Sequence, residues 1–136
     1  RLRPGALEGR TLKDALEKMI REYQTLSNLQ VDLHYEWVDV DMDVMIEDTI
    51  FRVIQESMTN AVRHGHASQM SLHFFENEED YLIELQDNGV GFETLTYGYG
   101  LKQMMERISI LGGQLQFESR DGFFTRVSLP KYKEGR

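Results

Sequence analysis

The chain contains no cysteine. That removes disulfides, thiolate-bound metals and a cysteine nucleophile together, and it fits a reducing compartment. Metal could still bind through oxygen. No apolar run approaches the roughly 20 residues of a membrane-spanning helix, and no signal-peptide core opens the chain, so the sequence as it stands reads as soluble. Positive charge is scarce: 15 Lys and Arg face 23 Asp and Glu, for a net charge of -8. This balance opposes wrapping a polyanion and argues against nucleic acid as a main partner, while leaving room for a small Mg-bound anion. Repeats and low-complexity segments are absent. What is present, 136 residues with 40% hydrophobic content, makes one domain able to bury a core without a covalent staple. The opening RLRPGALEGR is basic and turn-rich. Residues 1–10 are therefore expected to be a linker from a longer protein, with the domain proper at 11–136.

Periodicity orders the elements. Leu12, Ala15, Leu16, Met19, Ile20 and Tyr23 recur at helical spacing behind the potential N-cap Thr11 and predict a helix over 11–27. Val31, Leu33, Tyr35 and Trp37 alternate with Asp32, His34 and Glu36, as in a strand with one buried face. Ile46, Ile50, Val53, Ile54, Met58, Ala61 and Val62 form a second helical stripe over 43–64, ended by Gly65. SQMSLHFF and YLIELQ, separated by ENEED, read as a hairpin. Leu101, Met104, Ile108 and Leu111 make a third helix that Gly112 and Gly113 terminate. QLQFES and FFTRVSL flank RDG as a final hairpin, stopped by Pro130. The expected fold is α+β: a two-layer sandwich with three helices on one face of a mostly antiparallel sheet of about five strands.

Three clusters carry chemistry. On the second helix Glu56, Asn60, Arg63 and His64 lie along one stripe beside the apolar face. Such a stripe is common on solvated helices. It is also a kit for a hydrated Mg²⁺ and a triphosphate, because Mg²⁺ keeps its waters and needs only an amide oxygen beside the phosphate oxygens. In LQDNGVGF, Asp87, Asn88, Gly89 and Gly91 make a sharp, bare turn at a strand end. In YGYGL, Gly98 and Gly100 open the third helix, whose free N–H groups and dipole favour an anion. Glycine-rich turns also serve as plain connections. Asp87, however, stands where its carboxylate could accept a hydrogen bond from an exocyclic amine while repelling guanine O6.

In order and spacing, QESMTNAVRH, DNGVG, YGYGL and GFFTRVSLP resemble the N, G1 and G2 boxes and terminal strand of the GHKL ATPases, which share the Bergerat fold. Within that family the chain is similar to the catalytic ATP-binding domain of sensor histidine kinases of the nitrate-sensor and membrane-fluidity-sensor type. The opening LRP, the stretch GLKQMMERISILGG and the small size carry that narrower likeness. The resemblance implies ATP and Mg as ligands, Asn60 as the Mg-binding residue and Glu56 as the catalytic carboxylate that orders water near the metal. It puts Arg63 and His64 near the phosphates and Asp87 on the adenine, with Gly89 and Gly91 baring the turn around it. Gly98, Gly100 and Leu101 fall at the phosphate-facing end of the lid, and Thr125, otherwise an ordinary β-branched strand residue, beside the adenine.

Three features depart from the family pattern. Only FETLTY lies between Gly91 and Gly98, which makes a very short lid. Gln103 stands where this subfamily often has glycine. None of His34, His64, His66 and His73 has the acid-flanked helical context of a phosphoacceptor, so the acceptor histidine is expected on an upstream dimerisation domain. The resemblance further implies a response regulator as partner, a monomeric isolated domain, a homodimeric full-length protein, and a cytoplasmic domain on a membrane-anchored whole. An anti-sigma-factor serine kinase and a non-catalytic nucleotide-sensing or docking module are the alternatives. A DNA-dependent ATPase is disfavoured, since the chain has no room for a transducer domain.

Overall fold

The computed structural model describes residue 5 and residues 7–38, 40–92 and 99–131. Among them run three helices, α1 (Leu12–Leu26), α2 (Val44–Arg63) and α3 (Tyr99–Ile110), and five strands: β1 (Gln30–Tyr35), β2 (Gln69–Glu76), β3 (Asp80–Asp87), β4 (Gln114–Ser119) and β5 (Phe123–Pro130). The helix ends follow from local chemistry. Thr11 Oγ1 accepts from Asp14 N at the start of α1, and Asp43 Oδ1 accepts from Met45 N at the start of α2, each pairing a donor that the helix leaves free. Past α3, Gly112 adopts φ 81°, the left-handed cap that lets Gly113 N return to Ile108 O.

The sheet order is β1-β2-β3-β5-β4. β1 and β2 are parallel, and every other neighbouring pair is antiparallel. Alternation then divides the sheet. Val31, Leu72, Phe74, Ile83, Leu85 and Val127 point inward and join Leu16, Ile20, Ile54, Met58 and Ile108 of the helices in one core. The alternate positions form a polar row across all five strands, His34, His73, Glu84, Arg126 and Gln116. Glu84 pairs there with Arg126, and His73 Nε2 lies 2.7 Å from Glu36. Helices thus cover one face, and the expected two-layer α+β sandwich is what the chain forms.

Two local differences from the sequence reading have clear causes. β1 ends at Tyr35 rather than Trp37. After Glu36 N donates to Phe74 O, the chain leaves the ladder so that the Trp37 indole can enter the core and donate to Phe75 O at 2.7 Å. At the front, Leu7 is 4% exposed and belongs to the core, within the segment expected to be a linker. A turn through Glu8 and Gly9, both at positive φ, leads from it into α1.

Candidate functional site

A cavity of about 420 Å³ opens between α2, α3 and the ends of β3 and β5, a size suited to a small organic ligand. α2 supplies Glu56, Ser57 and Asn60 to its wall, and His64, the residue that caps it, follows on the same side. The strands supply Asp87 and Thr125, and α3 supplies Gly100, Leu101 and Met104.

Asp87 is the most constrained polar group. It is 6% exposed, and its Oδ1 accepts from Gly89 N at 2.8 Å and Phe123 N at 3.0 Å. Among the described residues no hydrogen bond reaches Oδ2. One oxygen therefore ties the carboxylate to the turn and to β5, and the other remains for a ligand. The turn itself is clamped from behind. Asn88 Oδ1 accepts from both Ser68 N and Gln69 N at 2.9 Å, while its Nδ2 donates to Ser68 Oγ. Val90 N donates to Gly65 O. Gly89 is required by packing, since a Cβ there would come within 2.6 Å of Gly65 O. Gly91 takes φ 67°, and the next residue, Phe92, donates its N–H to Ser119 Oγ at 3.0 Å. Thr125, 3% exposed, sits in register between Leu85 and Phe117.

The opposite end is built from side chains. Glu56 and Gly100 meet across the gap between α2 and α3: a Cβ on Gly100 would lie 2.7 Å from Glu56 Cδ. Here the first turn of α3 borders the cavity through Gly100 and Leu101, and the N-terminal end of a helix favours negative charge. No group of three or more His, Asp or Glu able to hold a metal occurs among the described residues. A protein-only metal cage is thus not what these residues offer. The donor set does fit a hydrated Mg²⁺ that arrives with phosphate oxygens, because Asn60 can supply one amide oxygen to it.

Eight of the expected residues, Glu56, Asn60, His64, Asp87, Gly91, Gly100, Leu101 and Thr125, line this one cavity. Gly89 buttresses the turn from outside the wall. Arg63 is exposed and absent from the wall, displaced to the outer flank of the stripe. Gly98 and most of the FETLTY lid lie outside the described residues. Sequence reasoning missed the apolar lining, notably Met70, Met104, Phe92, Phe117 and Phe123. Phe123 packs against Phe92 and Phe117 at 5.2 and 5.6 Å between ring centroids. In sequence such positions are indistinguishable from core; adjacency to the glycine turns was the available signal. The clear pKa displacements of partly buried groups fall elsewhere, at the β1–α2 corner. Burial and then the Glu47 charge push Tyr35 up to about 12, and burial and then Asp41 raise Glu47.

Comparison with known proteins gives the family and the fold. Residues 45–133 match the family described as histidine kinase-, DNA gyrase B-, and HSP90-like ATPase. The signal transduction histidine-protein kinase/phosphatase UhpB of Salmonella typhimurium is 35% identical over 136 residues, covering 96% of this chain and 27% of that protein. The sensor histidine kinase LiaS of Bacillus subtilis is 30% identical, covering 94% of this chain and 36% of that one. The chain therefore spans about a quarter to a third of the length of these relatives. Among solved structures, the Acinetobacter baumannii histidine kinase AdeS superposes with a TM-score of 0.77 at 20% identity, over 89% of this chain and 65% of that one. The histidine kinase domain of the Erythrobacter litoralis EL346 blue-light activated histidine kinase gives 0.75 at 17% identity, over 96% and 65%. Those two likenesses concern the fold. With its family match extending over more than half of its length, the chain belongs to the histidine kinase-, DNA gyrase B- and HSP90-like ATPases.

Proposed function

We propose that the cavity binds Mg-ATP and that the domain presents the γ-phosphate to a histidine on a separate dimerisation domain of a sensor histidine kinase, in two-component signalling. The observation that carries this reading is Asp87: buried, fixed through Oδ1 by two backbone N–H groups, and with Oδ2 left without a protein partner among the described residues. A fixed carboxylate oxygen at the floor of a cavity accepts from the adenine amine and rejects guanine O6. From there the triphosphate extends toward α2 and α3. Asn60 would hold the metal, Glu56 would order water beside it, and the first turn of α3 would receive phosphate oxygens. Bound Mg²⁺ neutralises charge on the phosphate oxygens. The chain's own work is positioning, which is most of what phosphoryl transfer asks of a protein.

The acceptor is assigned to another domain because the four histidines are poorly placed for the role. His34 and His73 lie in strands, His64 caps α2, and His66 sits in a turn at φ 53°. On this reading the whole protein is a membrane-anchored homodimer that passes phosphate to a response regulator, with this domain in the cytoplasm and the segment before α1 leading from the dimerisation helices. Among the described residues no helix is long and apolar enough to cross a membrane.

Calorimetric titration tests the base assignment. ATP should bind in a Mg-dependent way and more tightly than GTP. Asp87→Asn should erode the preference while the turn survives, since the amide oxygen can still accept from Gly89 and Phe123. Equal affinity of the unmodified chain for both nucleotides would overturn it. With radiolabelled ATP the chain alone should gain no acid-labile phosphate, and should label an acceptor domain supplied in trans only slowly, without the effective concentration of a tether. Label mapping to His34, His66 or His73 would overturn the separate acceptor.

A further inference from the structure

Most of the crowded glycines are fixed by backbone. A Cβ at Gly89 would strike Gly65 O, and one at Gly113 would strike Ser128 O. Gly91 and Gly122 combine such contacts with positive φ. Any side chain there deforms the fold. Gly100 differs. It lies within α3, in backbone that any residue adopts, and the three atoms nearest to its imagined Cβ all belong to the Glu56 side chain: Oε2, Cδ and Cγ. Glycine weakens the first turn of a helix relative to alanine. Among the described residues no backbone contact calls for glycine at this position, yet the Glu56 carboxylate occupies the space that its bareness leaves.

We propose that Gly100 is a positioning residue for Glu56: its bare Cα is the seat on which the carboxylate rests against α3, and a side chain at position 100 turns that carboxylate out of place. The seat couples α2 to α3, because Glu56 stands on one helix and is located by the other. Movement of the first turn of α3 then carries the carboxylate's resting place with it. This inference rests on the proposed role of Glu56 in phosphoryl transfer. It is distinct from the expectation that Gly100 is bare so that phosphate can approach, and the two make opposite statements about ATP affinity.

A rescue experiment separates them. Gly100→Ala should leave the cooperative melt intact and ATP affinity within about threefold, and should slow transfer to the acceptor domain about tenfold or more, the scale of a misplaced acid–base group. Glu56→Asp shortens the side chain by one methylene and should also slow transfer, but the G100A/E56D double variant should be no slower than G100A alone, because the shorter carboxylate clears the new methyl group. Losses that multiply in the double variant would overturn the proposal, as would a fall in ATP affinity that accounts for the whole loss in G100A. A second readout needs no activity. In the ligand-free 136-residue chain the Gly100 amide resonance should shift in Glu56→Gln more than the other α3 amides do, because the carboxylate lies against Gly100. A Gly100 amide indifferent to Glu56 would overturn the seat. If the unmodified chain binds ATP and transfers nothing, the kinase reading fails, while the resonance still decides the seat.

Discussion

At the β3 end of the cavity the backbone is pinned atom by atom, whereas at the α3 end the elements meet through side chains. Asp87, Asn88, Gly89 and Val90 each make or permit a specific backbone contact with β5, β2 or the end of α2. α3 is anchored by Met104 and Ile108, both buried, while its first turn meets α2 at the Glu56 carboxylate. The difference suits the proposed placement of a nucleotide, base at the β3 end and phosphates at the α3 end. A base is selected by fixed donors and acceptors, so the end that reads it gains from rigidity. Phosphates must be enclosed, oriented and released, so the end that holds them gains from contacts that can be remade. If this division is right, substitutions at the base end should register mainly as lost stability, and those at the phosphate end mainly as lost activity.

The largest effect is expected from Asp87→Ala. It removes the shared acceptor of Gly89 N and Phe123 N, and leaving these two half-buried donors unpaired costs about 1–3 kcal/mol together. Urea unfolding should show a loss of that order, with ATP binding abolished. A variant as stable as the parent would break the comparison, since the pinning would then contribute nothing. Gly89→Ala comes next. Its methyl group meets the immovable Gly65 carbonyl, and overpacking of this kind costs about 1–3 kcal/mol. Gly100→Ala, whose methyl group has the end of the Glu56 side chain rather than backbone as its nearest contact among the described residues, is the control. Equal destabilisation of the two would erase the distinction between the ends.

Asn88→Ala should be milder, about 0.5–1.5 kcal/mol. Asn88 is exposed, so water can take over the N–H groups of Ser68 and Gln69. The Asp87 carboxylate keeps its own bonds, and ATP affinity should fall only severalfold. Loss of all ATP binding without loss of stability would mean that Asn88 touches the nucleotide itself.

The same contrast explains what the sequence disclosed. Elements with a clean period, such as α1 and β3, were legible to within a residue or so, because alternation and helical spacing record which face is buried. The place of β5 between β3 and β4 was not legible, as strand order depends on pairing between segments far apart. At the site, the polar groups stood out because the Asp87–Gly91 turn, the Glu56–Asn60 stripe and the Gly98–Gly100 opening recur in one order and spacing, which a plain turn does not require. Phe92, Phe117 and Phe123 did not, because an apolar residue that lines a cavity has the same spacing as one that fills a core. Helical spacing also placed Arg63 with its neighbours on α2, but the cavity wall follows the 56-60-64 line, and Arg63 lies one step off it.

The smallest change in stability, and the sharpest division between stability and activity, is expected from Asn60→Asp. Asn60 lines the cavity and is half-buried, and no hydrogen bond from its side chain is found among the described residues; the bonds to His64 N and Gly65 N use its backbone carbonyl. The substitution leaves those bonds and the residue's volume unchanged. It does set a negative charge in the last turns of α2, where the helix dipole is unfavourable and Glu56 stands four residues away, each worth a few tenths of a kcal/mol. Thermal unfolding should therefore stay cooperative, with a loss of about 0.5 kcal/mol or less. On the proposed role of Asn60, Mg-dependent ATP binding and phosphate transfer should nevertheless fall sharply, since an amide meant to coordinate metal beside the phosphates would become a charge that repels them. Lowering the pH toward the carboxylate range should return part of the binding by neutralising residue 60. If the variant instead loses its cooperative melt, Asn60 is part of the scaffold, and the phosphate end is as rigid as the base end.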